Sequence, residues 1–383
     1  MPINSLPDEC LLNIFIFLDN LEDLINCYKV NSRWSHLVSY RLSKVKYLTA
    51  SKSNVTLGMI NFNKPDVLKE ADLARLLPNL KILDITHPFK QVLNHNETVA
   101  IIESTETIKG LIFEASSQHL SVTKHCKNLE MLATGVLEDR FIEIGYGSEI
   151  KQLYLWNYFL STFSIFAQYF PKLKRLHIEN SVGSLYEYRG PVLKNLEILE
   201  VLSSCCDETE VYHGFKLLDS CPRLKSAYFF IDSNQDFLNE SIINSTVQDL
   251  VICYMPGCEQ DWIFLKKFLS KFPNLKHLAL RENDKIKDIH IEELIQILPN
   301  LILLDVRESF GVTQRSADYI NRYCMRNNRS LSFYHKPGQR ITGDWSHLST
   351  RQERVCQGFD FMKHCFLKSF YQLPLLMDPK DEN

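Results

Sequence analysis

LPNLKILDI (77–85), FPKLKRLHI (170–178), FPNLKHLAL (272–280) and LPNLILLDV (298–306) are four copies of one pattern, whose shared core is L-x-x-L-x-L. With apolar substitutions the core starts again at Leu80, Ile108, Leu129, Ile150, Leu173, Leu196, Leu224, Val247, Leu275 and Leu301, and a degraded copy begins near Asn328. Subtracting successive starts gives steps of 21 to 28 residues, the signature of a stacked repeat array. The last two apolar residues of each core stand two apart, so on a strand both point into one interior. Ahead of most cores runs a helix-period stretch, such as Leu265, Phe268, Leu269 and Phe272, or Ile291, Leu294, Ile295 and Leu298. Pro78, Pro171, Pro222, Pro273 and Pro299 each fall two residues before a core, where proline ends the helix and releases the chain into a strand. Each unit is therefore a helix and a short strand, and the units must stack because none buries its apolar face alone.

Residues 45–335 resemble the leucine-rich repeat superfamily. The resemblance implies an α/β solenoid: a horseshoe with a parallel inner sheet and outer helices. Asn or Cys is expected eight residues after each core start, to bond the neighbouring turn. This chain has Pro88, Ser116, Leu137, Tyr158, Ser181, Ser204, Asp232, Met255, Asn283, Ser309 and Lys336, of which only Asn283 fits. The shorter units between Ile108 and Leu196 are expected to lack full helices.

The first forty residues follow another pattern. Ser5 and Asp8 have the spacing of a capping box, and Pro7 suits a first helical turn. Leu11, Ile14, Phe15 and Leu18 follow at helical spacing. Asn20 with Asp23 opens a second helix, and Asn31 caps a third carrying Trp34, Leu37 and Val38. Three helices this short are marginal without a partner surface. The order Leu6, Pro7, Glu9, Leu11, Leu12, Ile14, Leu18, Asp23, Leu24, Val30, Arg33 and Trp34 resembles the F-box family. That resemblance implies that this segment binds the Skp-type adaptor of a cullin-RING ubiquitin ligase. The adaptor-binding residues would be Leu6, Pro7, Glu9, Leu11, Leu12, Ile14, Phe15, Leu18, Leu24, Val30 and Trp34. An F-box-like segment before leucine-rich repeats looks like a substrate receptor, which acts by positioning a target. The residues leave open a repeat scaffold or enzyme regulator with no role in ubiquitination. The expected domains are 1–42, 43–335 and a capping tail, 336–383.

Composition narrows the classes of function. Among 383 residues, 43 Lys+Arg against 46 Asp+Glu give a net charge of −3, which argues against nucleic acid or a membrane surface as the main partner. The uncharged run 152–171 includes Gln152, Asn157, Ser164 and Gln168, so it reads as core and not as a membrane span. No secretory signal opens the chain, and 11 cysteines without a C-x-x-C pair point to buried thiols in a reducing cytoplasm or nucleus. Cys205, Cys206 and Cys221, or Cys253 and Cys258 with His277, lack the paired spacing of a zinc site, so no metal or cofactor is expected. The sequence contains no GxxxxGK[ST], HExxH or GxSxG, and no intrinsic catalysis is expected.

Period two also locates a target-binding face. The third, fifth and seventh core positions point away from the leucines and include Tyr154, Trp156, Arg175, His177, Tyr228, Phe230, His277, Arg281 and Arg307. Tyr, Trp and Arg are hot-spot residues. After 335 the tail carries Trp345, Phe361, Phe366, Phe370 and Tyr371, which need burial. It must cap the last repeat or fold back along this face, with a final helix near 361–371 and loose ends only at 378–383.

Overall fold

The structure is a computed structural model that describes residues 2–50, 58–64, 66–86, 94–113, 120–137, 145–180, 187–203, 211–233, 235–236, 238–339, 345 and 347–379. Pro88, Ser116, Ser181, Ser204, Cys205, Cys206 and residues 380–383 lie outside this set. The chain forms two compact units, Met1–Ile150 with Glu353–Cys356, and Lys151–Gln352 with Gln357–Asn383. The division falls between repeats, and the N-terminal helices belong to the same unit as the first strands.

The first unit opens with helices α1 (Asp8–Ile16), α2 (Leu21–Tyr28) and α3 (Ser32–Leu42). Asn20 and Asn31 cap α2 and α3 as expected, accepting from the Asp23 and Trp34 amides at 3.2 and 2.9 Å. Ser5 does not cap α1. It closes a 3-10 turn with its hydroxyl on the Pro2 carbonyl, while extended Pro7 accepts the first helical bonds through its own carbonyl. Parallel strands follow: β1 (Tyr47–Thr49), β2 (Met59–Asn61), β3 (Ile82–Asp84), β4 (Gly110–Ile112) and β5 (Met131–Thr134), paired in the order β2-β1-β3-β4-β5. The helices dock onto β2 through polar bonds. Asn20 donates to Asn61 Oδ1 at 3.2 Å, and Glu22 accepts from the Asn63 and Lys64 amides at 2.9 and 2.8 Å.

The second unit continues the architecture with β6 (Gln152–Trp156), β7 (Arg175–Asn180), β8 (Ile198–Ser203), β10 (Ser226–Ile231), β12 (Asp249–Tyr254), β13 (His277–Arg281), β14 (Leu303–Asp305) and β15 (Ser332–Tyr334), each parallel to its neighbour. A separate short pair joins β9 (Val211–Tyr212) to β11 (Gln235–Asp236). Ten strands begin two residues after the ten core starts read from the sequence. The core leucines and isoleucines are buried throughout, and helices such as Trp262–Leu269 bury Leu265, Phe268 and Leu269 against them. Both units are thus solenoid segments of α/β class. In the shorter repeats the linkers are 3-10 turns at Leu120–His125 and Tyr146–Glu149, as their length requires, although Leu160–Phe166 forms two helical turns.

The proline signal has a defined geometry. Leu80, Leu173, Leu224, Leu275 and Leu301 each donate to the carbonyl three residues back, closing β-turns with proline at the second position. Bonding between neighbouring repeats comes from asparagines that the sequence reading missed. Asn79, Asn128, Asn195, Asn274 and Asn300, each one residue before a core, donate their side-chain amides to a carbonyl beside the preceding repeat's turn at 2.7–3.0 Å. The cross-repeat bond is made at the start of the strand, so position eight is free to vary. Buried Asn283 accepts instead from the Lys285 and Ile286 amides of its own turn.

Candidate functional site

Two surfaces concentrate the expected binding residues, one in each unit. On α1 the spacing of three and four residues separates two faces. Leu11 and Phe15 point inward and are buried, and Leu24 of α2 is also fully buried. Phe15 meets Trp34 edge to face at 5.2 Å between centroids. These three of the expected adaptor-binding residues therefore build the helical core instead of lining its surface. An adjoining face carries Pro7, Cys10, Ile14 and Phe17, all exposed, with Phe17 at 78% and Ile14 at 40%. Val30, two residues beyond α2, is 54% exposed, Glu9 is exposed, and Leu6, Leu12, Leu18 and Trp34 are half-buried. Phe17 was missed from sequence, although it stands three residues from Ile14. Arg33 clamps the leading segment: its guanidinium donates to the Asn4 and Leu6 carbonyls at 2.7 and 2.6 Å and to Asp8 Oδ1 at 2.7 Å.

The strand face of the second unit holds the other set. Tyr154, Arg175, His177, Tyr228, His277 and Arg281 all sit on it, as period two requires, but they are buried, and Trp156, Phe230 and Arg307 are half-buried. The expectation that they face solvent is corrected by the chain itself, because its C-terminal segment lies over them. Arg175 donates to the Pro374 and Leu375 carbonyls at 2.6 and 3.2 Å. Arg281 donates to the Lys368 carbonyl at 2.6 Å and to the Phe366 carbonyl, and Tyr228 Oη also donates to Lys368 at 3.2 Å. Phe370 enters among His177, Tyr228 and Phe230, with centroid distances of 4.6, 5.4 and 6.3 Å. Trp345 packs edge-on against His277 at 4.8 Å, and Arg307 donates to the Gln339 carbonyl at 2.9 Å. The tail's α-helix is a single turn, Phe361–His364, and the chain then crosses the face through turns and the 3-10 helix Phe370–Gln372. Asp378 is buried and ends a short strand, Leu376–Asp378, where loose chain was expected.

Under the tail lies a buried charge cluster. Glu200 Oε2 accepts from Arg175 at 2.7 and 3.1 Å and lies 3.0 Å from His177 Nδ1, while Cys365 Sγ donates to Oε1 at 3.2 Å. His177 stacks on Tyr154 at 3.7 Å. Burial alone would raise the Glu200 carboxyl, but the Arg175 charge and the hydrogen bonds from His177 and Arg175 outweigh it and hold the group at about 2. Burial lowers His177 and keeps the ring neutral. Glu200 and Gln152 were not assigned to this face from sequence, although each occupies a face position of its core and period two marks them.

Among the described residues no helix is long and apolar enough to cross a membrane. Cys126, Cys221, Cys253, Cys356 and Cys365 are buried thiols. Burial pushes Cys253 up to about 12, so it stays protonated.

Residues 3–44 carry an F-box-like domain, matching the family model of that description. Among solved structures the chain is similar to one from the crystal structure of the Rad7 and Elc1 complex in yeast. Identity is 17% and the TM-score 0.43, over 81% of this chain and 90% of that chain. No curated protein matches the chain.

Proposed function

We propose that this protein is the target-recognition subunit of an SCF-type cullin-RING ubiquitin ligase, working in the cytoplasm or nucleus. The F-box-like domain docks a Skp-type adaptor, and the repeats hold a protein target near the ubiquitin-loaded enzyme. The carrying observation is that the F-box-like helices leave Ile14, Phe17 and Val30 exposed while burying a separate core of Leu11, Phe15 and Leu24. An apolar stripe left open beside a completed core marks a surface for another chain. The contribution to chemistry is positioning, which raises the effective concentration of a target lysine and requires no catalytic group, metal or cofactor in this chain.

Affinity purification of the full-length protein under proteasome inhibition tests the proposal. Adaptor and cullin should co-purify, and Ile14→Asp combined with Phe17→Asp should remove both. Adaptor without cullin would favour a repeat protein that uses the adaptor outside ubiquitination. Undiminished adaptor capture by the double variant would overturn the docking surface.

A further inference from the structure

The hydrogen bonds that hold segment 366–377 over the second unit's strand face run through its own backbone. Four of its anchors are carbonyls, those of Phe366 and Lys368 on Arg281 and those of Pro374 and Leu375 on Arg175. A fifth is the backbone of a single residue: Gln152 accepts from the Met377 amide at 3.0 Å and donates to the Met377 carbonyl. Carbonyls and amides are common to every peptide, so these anchors recognise the course of a backbone, which here turns at 366–368 and again through the 3-10 helix Phe370–Gln372, and not a particular sequence. Arginine suits this work, because its fork presents fixed donors and accepts nothing. Sequence enters through buried side chains, Phe366, Leu376 and Met377 among them, and most specifically through a slot where Phe370 sits among His177, Tyr228 and Phe230. The next residue, Tyr371, is 60% exposed.

We infer that this face is a peptide groove, and that residues 366–377 are its built-in occupant, displaceable by a segment of a target that follows the same backbone course and places an aromatic ring in the Phe370 slot. Another peptide in that conformation offers Arg175, Arg281 and Gln152 the same groups. The tail competes from within the chain at an effective concentration on the order of millimolar, so it sets the affinity a target must exceed. This inference rests on the target-receptor reading and deepens it by naming the class of segment the target offers.

A fluorescein-labelled synthetic peptide of residues 364–379, titrated against the full-length protein by anisotropy, tests it. Phe370→Ala in the protein weakens the internal competitor, so that variant should bind the peptide at least tenfold more tightly than the unaltered chain. A peptide with Phe370→Ala should not bind, and adding Arg281→Gln to the Phe370→Ala protein should weaken binding at least tenfold. A folded Phe370→Ala protein that does not bind the peptide overturns the inference. Hydrogen exchange on the unaltered chain decides the matter if that variant fails to fold. The amides of 366–377 should exchange faster than those of β10 and β12, and exchange as slow as theirs would show a permanent cap. Neither measurement uses the adaptor, so failure here leaves the docking surface on α1 untouched, and the reverse holds.

Discussion

The N-terminal helices and the strand face of the second unit both gather the aromatic and apolar residues typical of recognition, yet they present them in opposite ways. On α1, Ile14 and Phe17 stand open to solvent beside a core that is complete without them. On the strand face, His177 and Tyr228 are fully buried, because the chain supplies its own cover. Composition alone does not separate these cases. What separates them is whether the residues needed to satisfy the surface lie in the same chain. Among the described residues none covers Ile14 and Phe17 of the F-box-like surface, whereas the strand face has carbonyls on its arginines and a phenyl ring in its slot.

The largest effect expected on this contrast is from Glu200→Ala. It leaves Arg175 and His177 buried without their carboxylate, and losing one partner of a buried pair costs about 3–5 kcal/mol. Urea unfolding should show a midpoint lowered accordingly, and an unchanged midpoint would mean the cluster is not structural. In the first unit, Leu24→Ala empties a fully buried site and should cost about 2–5 kcal/mol by the same measurement. Adaptor capture should then fall only through loss of folding.

Acid should loosen the covered face. Burial lowers both His177 and His364, the latter to about 4, so in the folded protein both remain neutral where the unfolded chain takes up protons. Their contribution is complete above the unfolded value of about 6.5 and declines as pH falls below it, for His364 down to about 4. Glu200, held at about 2, contributes above about 4.3 and loses that contribution only at lower pH. Unfolding midpoints at pH 8, 6 and 5 should therefore fall in that order, and a flat profile would contradict the burial of these rings. The smallest effect on stability belongs to the open stripe. Ile14→Asp with Phe17→Asp should shift the midpoint by less than about 0.5 kcal/mol while abolishing adaptor capture, which completes the contrast with Leu24→Ala.

Much of this was legible from residue order. Ten core starts placed ten strands, and Asn20 and Asn31 marked two helix starts, because side-chain alternation, helix periodicity and capping are local properties of a few neighbouring residues. Period two likewise put Arg175, His177, Tyr228 and Arg281 on one strand face. Local order could not show what covers that face: Gln152 meets Met377 across 225 residues of chain, and Arg281 meets Lys368 across 87. Nor did it separate Leu11 and Phe15, which close the helical core, from Phe17, which leaves it. Spacing sets the direction of a side chain, but burial depends on which distant segment arrives to fill the space, and only the tertiary structure decided that.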